Sequence, residues 1–306
     1  MYLVCGEALF DVFMGHKQLD SIQMNARVGG SPFNVAIGLA RMGQPAALLT
    51  GISNDVLGVQ LTRMLEKESV ATDYLLRSDR KTTLSLISVQ DDGQPQYSFY
   101  GDGSADCNVT EAELPEIGAE VQGIHFGSYS LVVKPVADAF AYMLERYQDR
   151  FISLDPNIRP TIQPDMQLWR ERVAQYAQYA NLLKISAEDI AYLYPDKTAQ
   201  QMAQAWIAAG VQLVFVTDGA NAVQSWTASG HYCRINPAQG DVVDTVGAGD
   251  TFQAALLARL CELGDPKQVI AALDESALKS LTEFAVRAAS ITCSRRGADL
   301  PRRNEL

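Results

Sequence analysis

Six short apolar segments recur along the chain with longer stretches of helical period between them, and this alternation limits the architecture more than any single motif. Residues 2–5, 46–51, 123–127, 151–155, 181–186 and 213–217 are aliphatic or β-branched runs bounded by Gly, Asp or Ser, the pattern of strands buried on both faces. Segments 33–42, 56–68, 135–148, 166–180, 199–209, 251–263 and 278–292 carry helical period, and Gly43 follows the first as a terminating glycine. Strands alternating with helices predict an α/β fold, a mostly parallel sheet covered by helices on both sides.

Two stretches depart from that rhythm. Residues 12–28 and 82–100 are more polar, and the runs 84–89 and 97–100 read as half-exposed strands around the turn Asp91-Asp92-Gly93. They predict a small antiparallel sheet forming a lid on a single domain spanning 1–306. Hydrophobic residues at 47% against 20% charged supply an ordinary globular core. A net charge of -11 opposes a nucleic acid or an anionic membrane as partner. Five widely spaced cysteines, with no CxxC pair, fit reduced thiols, and the N-terminus shows no signal peptide, so a cytoplasmic location is expected. His16, His125 and His231 have no metal-ligand spacing, and His125 is expected to be a packed strand residue.

The segment Asp244-Thr245-Val246-Gly247-Ala248-Gly249-Asp250-Thr251-Phe252 precedes the apolar run 253–258. Small residues at Gly247, Ala248 and Gly249 allow a sharp turn whose N–H groups approach a ligand, and the following helix adds its positive end. That makes an anion site without requiring a lysine. Asp250 falls in the first helical turn, where any Asp compensates the dipole, and where a carboxylate beside a transferring phosphoryl group can take a proton from an attacking hydroxyl. No GxxxxGK[ST] motif occurs, and no GxGxxG follows a strand, which disfavours a P-loop kinase and a nicotinamide-dependent sugar oxidoreductase.

The string DTVGAGDTFQAALL resembles the C-terminal signature of the ribokinase (PfkB) family, and Gly29-Gly30-Ser31-Pro32-Phe33-Asn34-Val35-Ala36 resembles its N-terminal signature. The resemblance runs from Gly6 to about Pro301. It implies a central α/β sheet with a β lid over the sugar, and an alcohol attacking the γ-phosphate of ATP. Asp250 is then the base, with the Gly247–Asp250 amides as anion hole. Thr217 and Gly219, in Val216-Thr217-Asp218-Gly219, match residues that contact nucleotide phosphates. Lys184-Ile185-Ser186-Ala187-Glu188-Asp189 stands where the family carries NxxE, or KxSxxE in fructokinase-like members. Lys184 and Ser186 are thereby assigned to the nucleotide and Asp189 to Mg²⁺ through water, although Asp189 also suits a helix cap. Asp244 stands where a K⁺ ligand is expected, beside the loop Ser294–Ala298. In this family a β lid often supplies a homodimer contact.

At the sugar end, Asp11 in Gly6-Glu7-Ala8-Leu9-Phe10-Asp11 is expected at the carboxyl end of the first strand, pointing into the crevice. Gly29 and Gly30 permit close backbone approach, and Asn34 offers an amide to hydroxyls. Asp155-Pro156-Asn157-Ile158-Arg159 matches a fructokinase-type strand end, and the planar fork of Arg159 suits a phosphate or a substrate oxygen. Phe99-Tyr100-Gly101-Asp102-Gly103-Ser104-Ala105-Asp106 resembles FYRxxSAD, with Gly101 replacing the usual Arg. The resemblance implies phosphorylation of D-fructose to fructose 6-phosphate. The alternatives are 2-keto-3-deoxygluconate kinase, then ribokinase or a nucleoside kinase. The intact GAGD argues against a catalytically inactive sugar-binding regulatory relative.

Overall fold

The computed structural model describes residues 1–89, 95–237 and 241–306, so the turn expected at Asp91-Asp92-Gly93 lies outside the described residues. The chain runs β1 (Tyr2–Cys5), β2 (Leu9–Lys17), β3 (Ile22–Gly29), α1 (Ser31–Arg41), β4 (Ala46–Ser53), α2 (Val56–Lys67), β5 (Leu75–Ser78), β6 (Leu84–Val89) and β7 (Pro95–Tyr100). It continues through β8 (Gly123–Gly127), α3 (Val136–Arg146), β9 (Phe151–Asp155), α4 (Met166–Ala177), β10 (Leu182–Ser186), α5 (Ala187–Leu193) and α6 (Ala199–Ala209). The last part holds β11 (Leu213–Thr217), β12 (Val223–Thr227), β13 (Tyr232–Ile235), α7 (Ala248–Leu263), α8 (Pro266–Ala271) and α9 (Glu275–Cys293).

Among the described residues, the main sheet has the order β13-β12-β11-β10-β9-β8-β1-β4-β5. It is parallel from β11 through β5, and β12 and β13 add an antiparallel edge. Both faces are buried, as the alternation within β1 shows. Leu3 and Cys5 pack with Phe126, Phe140 and Trp169 on one side, while Tyr2 and Val4 pack with Phe33, Phe252 and the α7 and α9 leucines on the other. The five cysteines are free. Among the described residues, no helix is long and apolar enough to cross a membrane.

The second sheet is smaller, in the order β3-β2-β6-β7, with a central parallel pair β2–β6 flanked by two antiparallel hairpins. It confirms a small sheet and corrects two details. The sheet is mixed rather than purely antiparallel, and its first strand starts at Leu9 rather than Val12 because buried Leu9 and Phe10 tuck its base against the body. Strands β5, β12 and β13 were not legible, being short segments at one edge or the other of the main sheet. The short helix α8 is likewise not marked in the sequence, whereas α5 is the helix expected after Ser186.

Strand β1 lies between β4 on one side and β8 on the other, so chain connections leave it in opposite directions. That is a topological switch point, which opens a crevice at the carboxyl ends of β1 and β8.

Candidate active site

Helix α7 begins at the mouth of that crevice, and its start is shaped by one glycine. Gly247 caps it with φ 78°, a left-handed conformation, and a Cβ there would stand 2.6 Å from Ala298 Cβ. The turn is held from both sides. Asp244 accepts from Gly297 N at 2.8 Å and Val246 N at 3.1 Å, while Thr251 Oγ1 reaches Gly247 O at 2.9 Å and Thr292 Oγ1 at 2.8 Å. The first N–H groups of a long helix are thus presented toward the crevice with their partial positive charge.

Asp250 sits in the first turn of α7 and is buried. Its Oδ1 accepts from Ser31 Oγ at 2.6 Å and its Oδ2 from Asn34 Nδ2 at 2.8 Å. Both donors lie in the first turn of α1, so the two separated sequence signatures meet in one hydrogen-bonded cluster. Burial raises the Asp250 carboxyl above the ordinary range, against the two hydrogen bonds and the charges of Lys184 and Arg159, which lower it. A carboxylate raised in this way is a stronger proton acceptor than an ordinary Asp.

The lysine that the resemblance assigns to the nucleotide lies close to this helix start. Lys184, on β10, is buried and donates to Asp155 Oδ2 at 2.8 Å, and its Nζ lies 3.0 Å from where a Cβ on Gly249 would stand. Burial pushes Asp155 up, to about 6, and Lys184 pulls it back. Burial alone would lower Lys184, but the charge and hydrogen bond of Asp155 hold it above its ordinary value. The ammonium stays charged. It faces the helix start with one carboxylate as its hydrogen-bond partner, leaving donors for a phosphate.

Asp11 lies within β2 rather than at the end of β1, because β1 stops at Cys5 and the chain rises into the small sheet. It pairs in register with Arg27 and Ser85, and a Cβ on Gly29 would fall 2.4 Å from its Oδ2. Gly29 is therefore required by the Asp11 carboxylate. Gly30 has φ 107°, and a Cβ there would meet the Glu7 carbonyl at 2.8 Å. Burial raises Asp11, while Ser85 and Arg159 lower it and Asp250 adds to the rise. The exposed Arg159 donates to Ile158 O at 3.0 Å from a loop whose Asn157 has φ 44°. Ser128, after β8, has φ 63°. Left-handed conformations at non-glycine residues are costly, and these two stand at adjacent strand ends bordering the crevice.

Thr217 ends β11 in register with Ser186 at the end of β10, and Gly219 follows with φ 49°. Ser186 and Asp189 form a reciprocal capping box on α5, with Asp189 N donating to Ser186 Oγ at 2.9 Å. The Asp189 carboxylate takes Ser186 N at 3.3 Å and Ile158 N at 2.9 Å. It ties the β9 loop to α5. His125 is fully buried in β8, as expected, and bonds Ser153 Oγ at 3.1 Å. Three polar residues of the cluster escaped sequence reasoning: Glu7, Ser31 and Asp155. Their partners are distant in sequence, and no spacing rule joins them.

A buried carboxylate at a helix start, a buried lysine facing it and a second carboxylate on the small sheet fit a phosphotransferase acting on an alcohol. The chain matches the pfkB family carbohydrate kinase over residues 4–304, and it belongs to that family. It is 34% identical over 308 residues to the fructokinase of Rhizobium leguminosarum bv. trifolii, covering 100% of this chain and 92% of that one. To the probable fructokinase-6, chloroplastic, of Arabidopsis thaliana it is 30% identical, over 97% and 78% of the two chains. The crystal structure of a fructokinase with bound ATP from Xylella fastidiosa superposes with a TM-score of 0.90 at 26% identity, over 99% and 95%.

Proposed function

We propose that this protein transfers the γ-phosphoryl group of ATP to the primary hydroxyl of D-fructose, giving fructose 6-phosphate and ADP. The observation that carries the reading is the placement of Asp250, buried in the first turn of α7 and joined to Asn34 at 2.8 Å. The sugar lies between the small sheet and the body. There Asp11 accepts hydrogen bonds from neighbouring hydroxyls, Asn34 donates or accepts one, and the Gly29-Gly30 turn lets the ring approach. The acceptor hydroxyl faces Asp250, which takes its proton as the new O–P bond forms and the bond to the β-phosphate oxygen breaks. The amides of Gly247, Ala248 and Gly249 and the Lys184 ammonium meet the charge on the transferring oxygens. Thr217 and Gly219 border the nucleotide phosphates, with Ser186 beside them.

Mg²⁺, when bound with ATP, would supply charge neutralisation at the phosphates. Both Asp189 oxygens accept backbone N–H bonds, so its contribution to that ion would pass through water. Asp244 holds the loop before α7 through Gly297 and Val246, and K⁺ binding there would tighten the same loop.

Sugar-dependent ADP formation, measured with D-fructose, 2-keto-3-deoxygluconate, ribose and adenosine, tests the reading. Highest kcat/KM on fructose is expected. Preference for another acceptor would overturn the sugar assignment, and ADP formation with none would overturn the kinase assignment.

A further inference from the structure

The small sheet is connected to the body by four chain crossings, and two buried carboxylates close them in pairs. Glu7, between β1 and β2, accepts from Ser31 N at 3.1 Å, immediately after β3. Asp106 accepts from Thr83 Oγ1 at 2.5 Å, just before β6, and from Ser104 Oγ at 2.8 Å, just after β7. Tyr129 Oη donates to its other oxygen at 2.7 Å, and Phe99 of β7 packs edge-on against the same Tyr129 with ring centroids 5.1 Å apart. One carboxyl group thus clasps the base of each hairpin.

Ser31 has a second contact that takes the Glu7 clasp into the chemistry. Its backbone N–H goes to Glu7, while its hydroxyl goes to Asp250 Oδ1 at 2.6 Å. The side chains of Glu7 and Asp250 are therefore joined through a single residue, at the exit of the first lid hairpin. Glu7 is 2% exposed, and its Oε2 has no hydrogen-bond partner among the described residues.

We infer that Glu7 is a positioning residue for the base. Through Ser31 N it fixes the start of α1, so that the Ser31 hydroxyl and the Asn34 amide hold Asp250 toward the acceptor and link the base to the lid hinge. The inference rests on Asp250 acting as base in the kinase reading.

The charge state of Glu7 follows from its surroundings. Asp106 and Cys107 approach it from the turn after β7, Tyr129 and Ser128 from the turn after β8, and Arg159 from the loop after β9. Burial pushes Glu7 up to about 8, Ser128 and Arg159 work against that, and Asp106 adds to it. Glu7 is accordingly a neutral acid at pH 7 that ionises as the pH passes 8, which brings a negative charge into the buried cluster at the hinge.

The test compares Ser31→Ala, Glu7→Ala and Glu7→Gln in kcat, in both KM values and across pH 6 to 9.5. Ser31→Ala and Glu7→Ala should each lower kcat roughly ten- to thirty-fold, the scale of a lost hydrogen bond in a charged network, with the KM for ATP changed less than about threefold. Glu7→Gln keeps an acceptor for Ser31 N and should restore most of the kcat lost in Glu7→Ala. Wild-type kcat should decline above pH 8 as Glu7 ionises, and that decline should be absent in Glu7→Gln. A ¹³C titration of the Asp250 carboxyl, assigned with Asp250→Asn, supplies a readout independent of turnover. Its midpoint should rise in Ser31→Ala and Glu7→Ala and return toward wild type in Glu7→Gln. Folded Glu7→Ala with wild-type kcat and Asp250 titration would overturn the inference, as would Glu7→Gln as impaired as Glu7→Ala. If Glu7→Ala does not fold, the Ser31→Ala and Glu7→Gln titrations decide. If no sugar supports turnover in the wild type, the kinase reading fails, while the titration still reports on the Glu7–Ser31–Asp250 coupling.

Discussion

Asn34 Nδ2 and Asp250 Oδ2 stand 2.8 Å apart, joining the amide assigned to the sugar with the carboxylate assigned to the proton. In the proposed reaction, acceptor recognition and base catalysis would share this one hydrogen bond, and an entering hydroxyl would exchange with Asn34 for the same oxygen. Replacing Asp250 with Asn retains the shape and one acceptor oxygen but removes proton acceptance. The expected result is a fall in kcat of about 10²–10⁴ with fructose affinity retained, checked by steady-state kinetics and calorimetric binding.

The two glycines before Asp250 should fail differently. Gly247→Ala forces a left-handed conformation on alanine and drives its Cβ to 2.6 Å from that of Ala298, so the loop loses stability and the Tm drops. Gly249→Val sits at an ordinary φ, and its Cβ meets the Lys184 ammonium at 3.0 Å instead. It should raise the KM for ATP and lower kcat with little change in Tm. Thermal melts of both variants beside ATP kinetics separate the two outcomes.

Lys184→Met tests the buried cation. It strands the Asp155 carboxylate without its partner, and loss of one member of a buried pair costs about 3–5 kcal/mol. Denaturant unfolding should show that loss, and turnover should fall with it. The double variant Lys184→Met/Asp155→Leu should recover the stability without recovering turnover. Recovery of both would confine the lysine to a structural role.

Acid dependence follows from the direction of the Asp250 shift. Burial raises this carboxyl, so the base is lost by protonation at a higher pH than an ordinary Asp. The acid limb of kcat/KM should therefore lie above pH 4, the usual Asp range being about 3.9. In Asp250→Asn any residual activity should lack this limb. A pH–rate profile from 4 to 8 measures it.

A neutral ketohexose should exceed 2-keto-3-deoxygluconate in kcat/KM by roughly ten- to a hundred-fold, the scale of a missing charged hydrogen bond of about 1.5–3 kcal/mol. Gly101 stands where the resemblance to FYRxxSAD implies an arginine, but a Cβ there would lie 2.2 Å from Phe99 Cε1. Phe99 itself packs on Tyr129. Gly101→Arg alone should then perturb the lid, whereas Gly101→Arg/Phe99→Leu should narrow the gap between the two acceptors. Competition assays with both substrates read this directly.

The main sheet was legible because its parallel strands are buried on both faces and appear as unbroken apolar runs, as in Leu213–Thr217. The same logic hid β5 and β13, whose four-residue segments at the sheet edges carry mixed burial. The GAGD turn was legible because glycine and helix-start chemistry are local. Asp11 was placed on the wrong strand, since nothing local marks where β1 ends and the lid begins. The partnership of Lys184 with Asp155 and the Glu7–Ser31–Asp250 chain were invisible for a different reason. They join residues brought together by the sheet order, which no single segment encodes.

The parallel pairing of β2 with β6 also bears on how the molecule is made. Phe10 sits opposite Leu84, so the small sheet cannot close during synthesis until the second hairpin has emerged from the ribosome. Asp250 arrives much later still, near the end of the chain. The cluster that joins Ser31 and Asn34 to Asp250 is therefore completed last, and a nascent chain stalled before α7 would lack it.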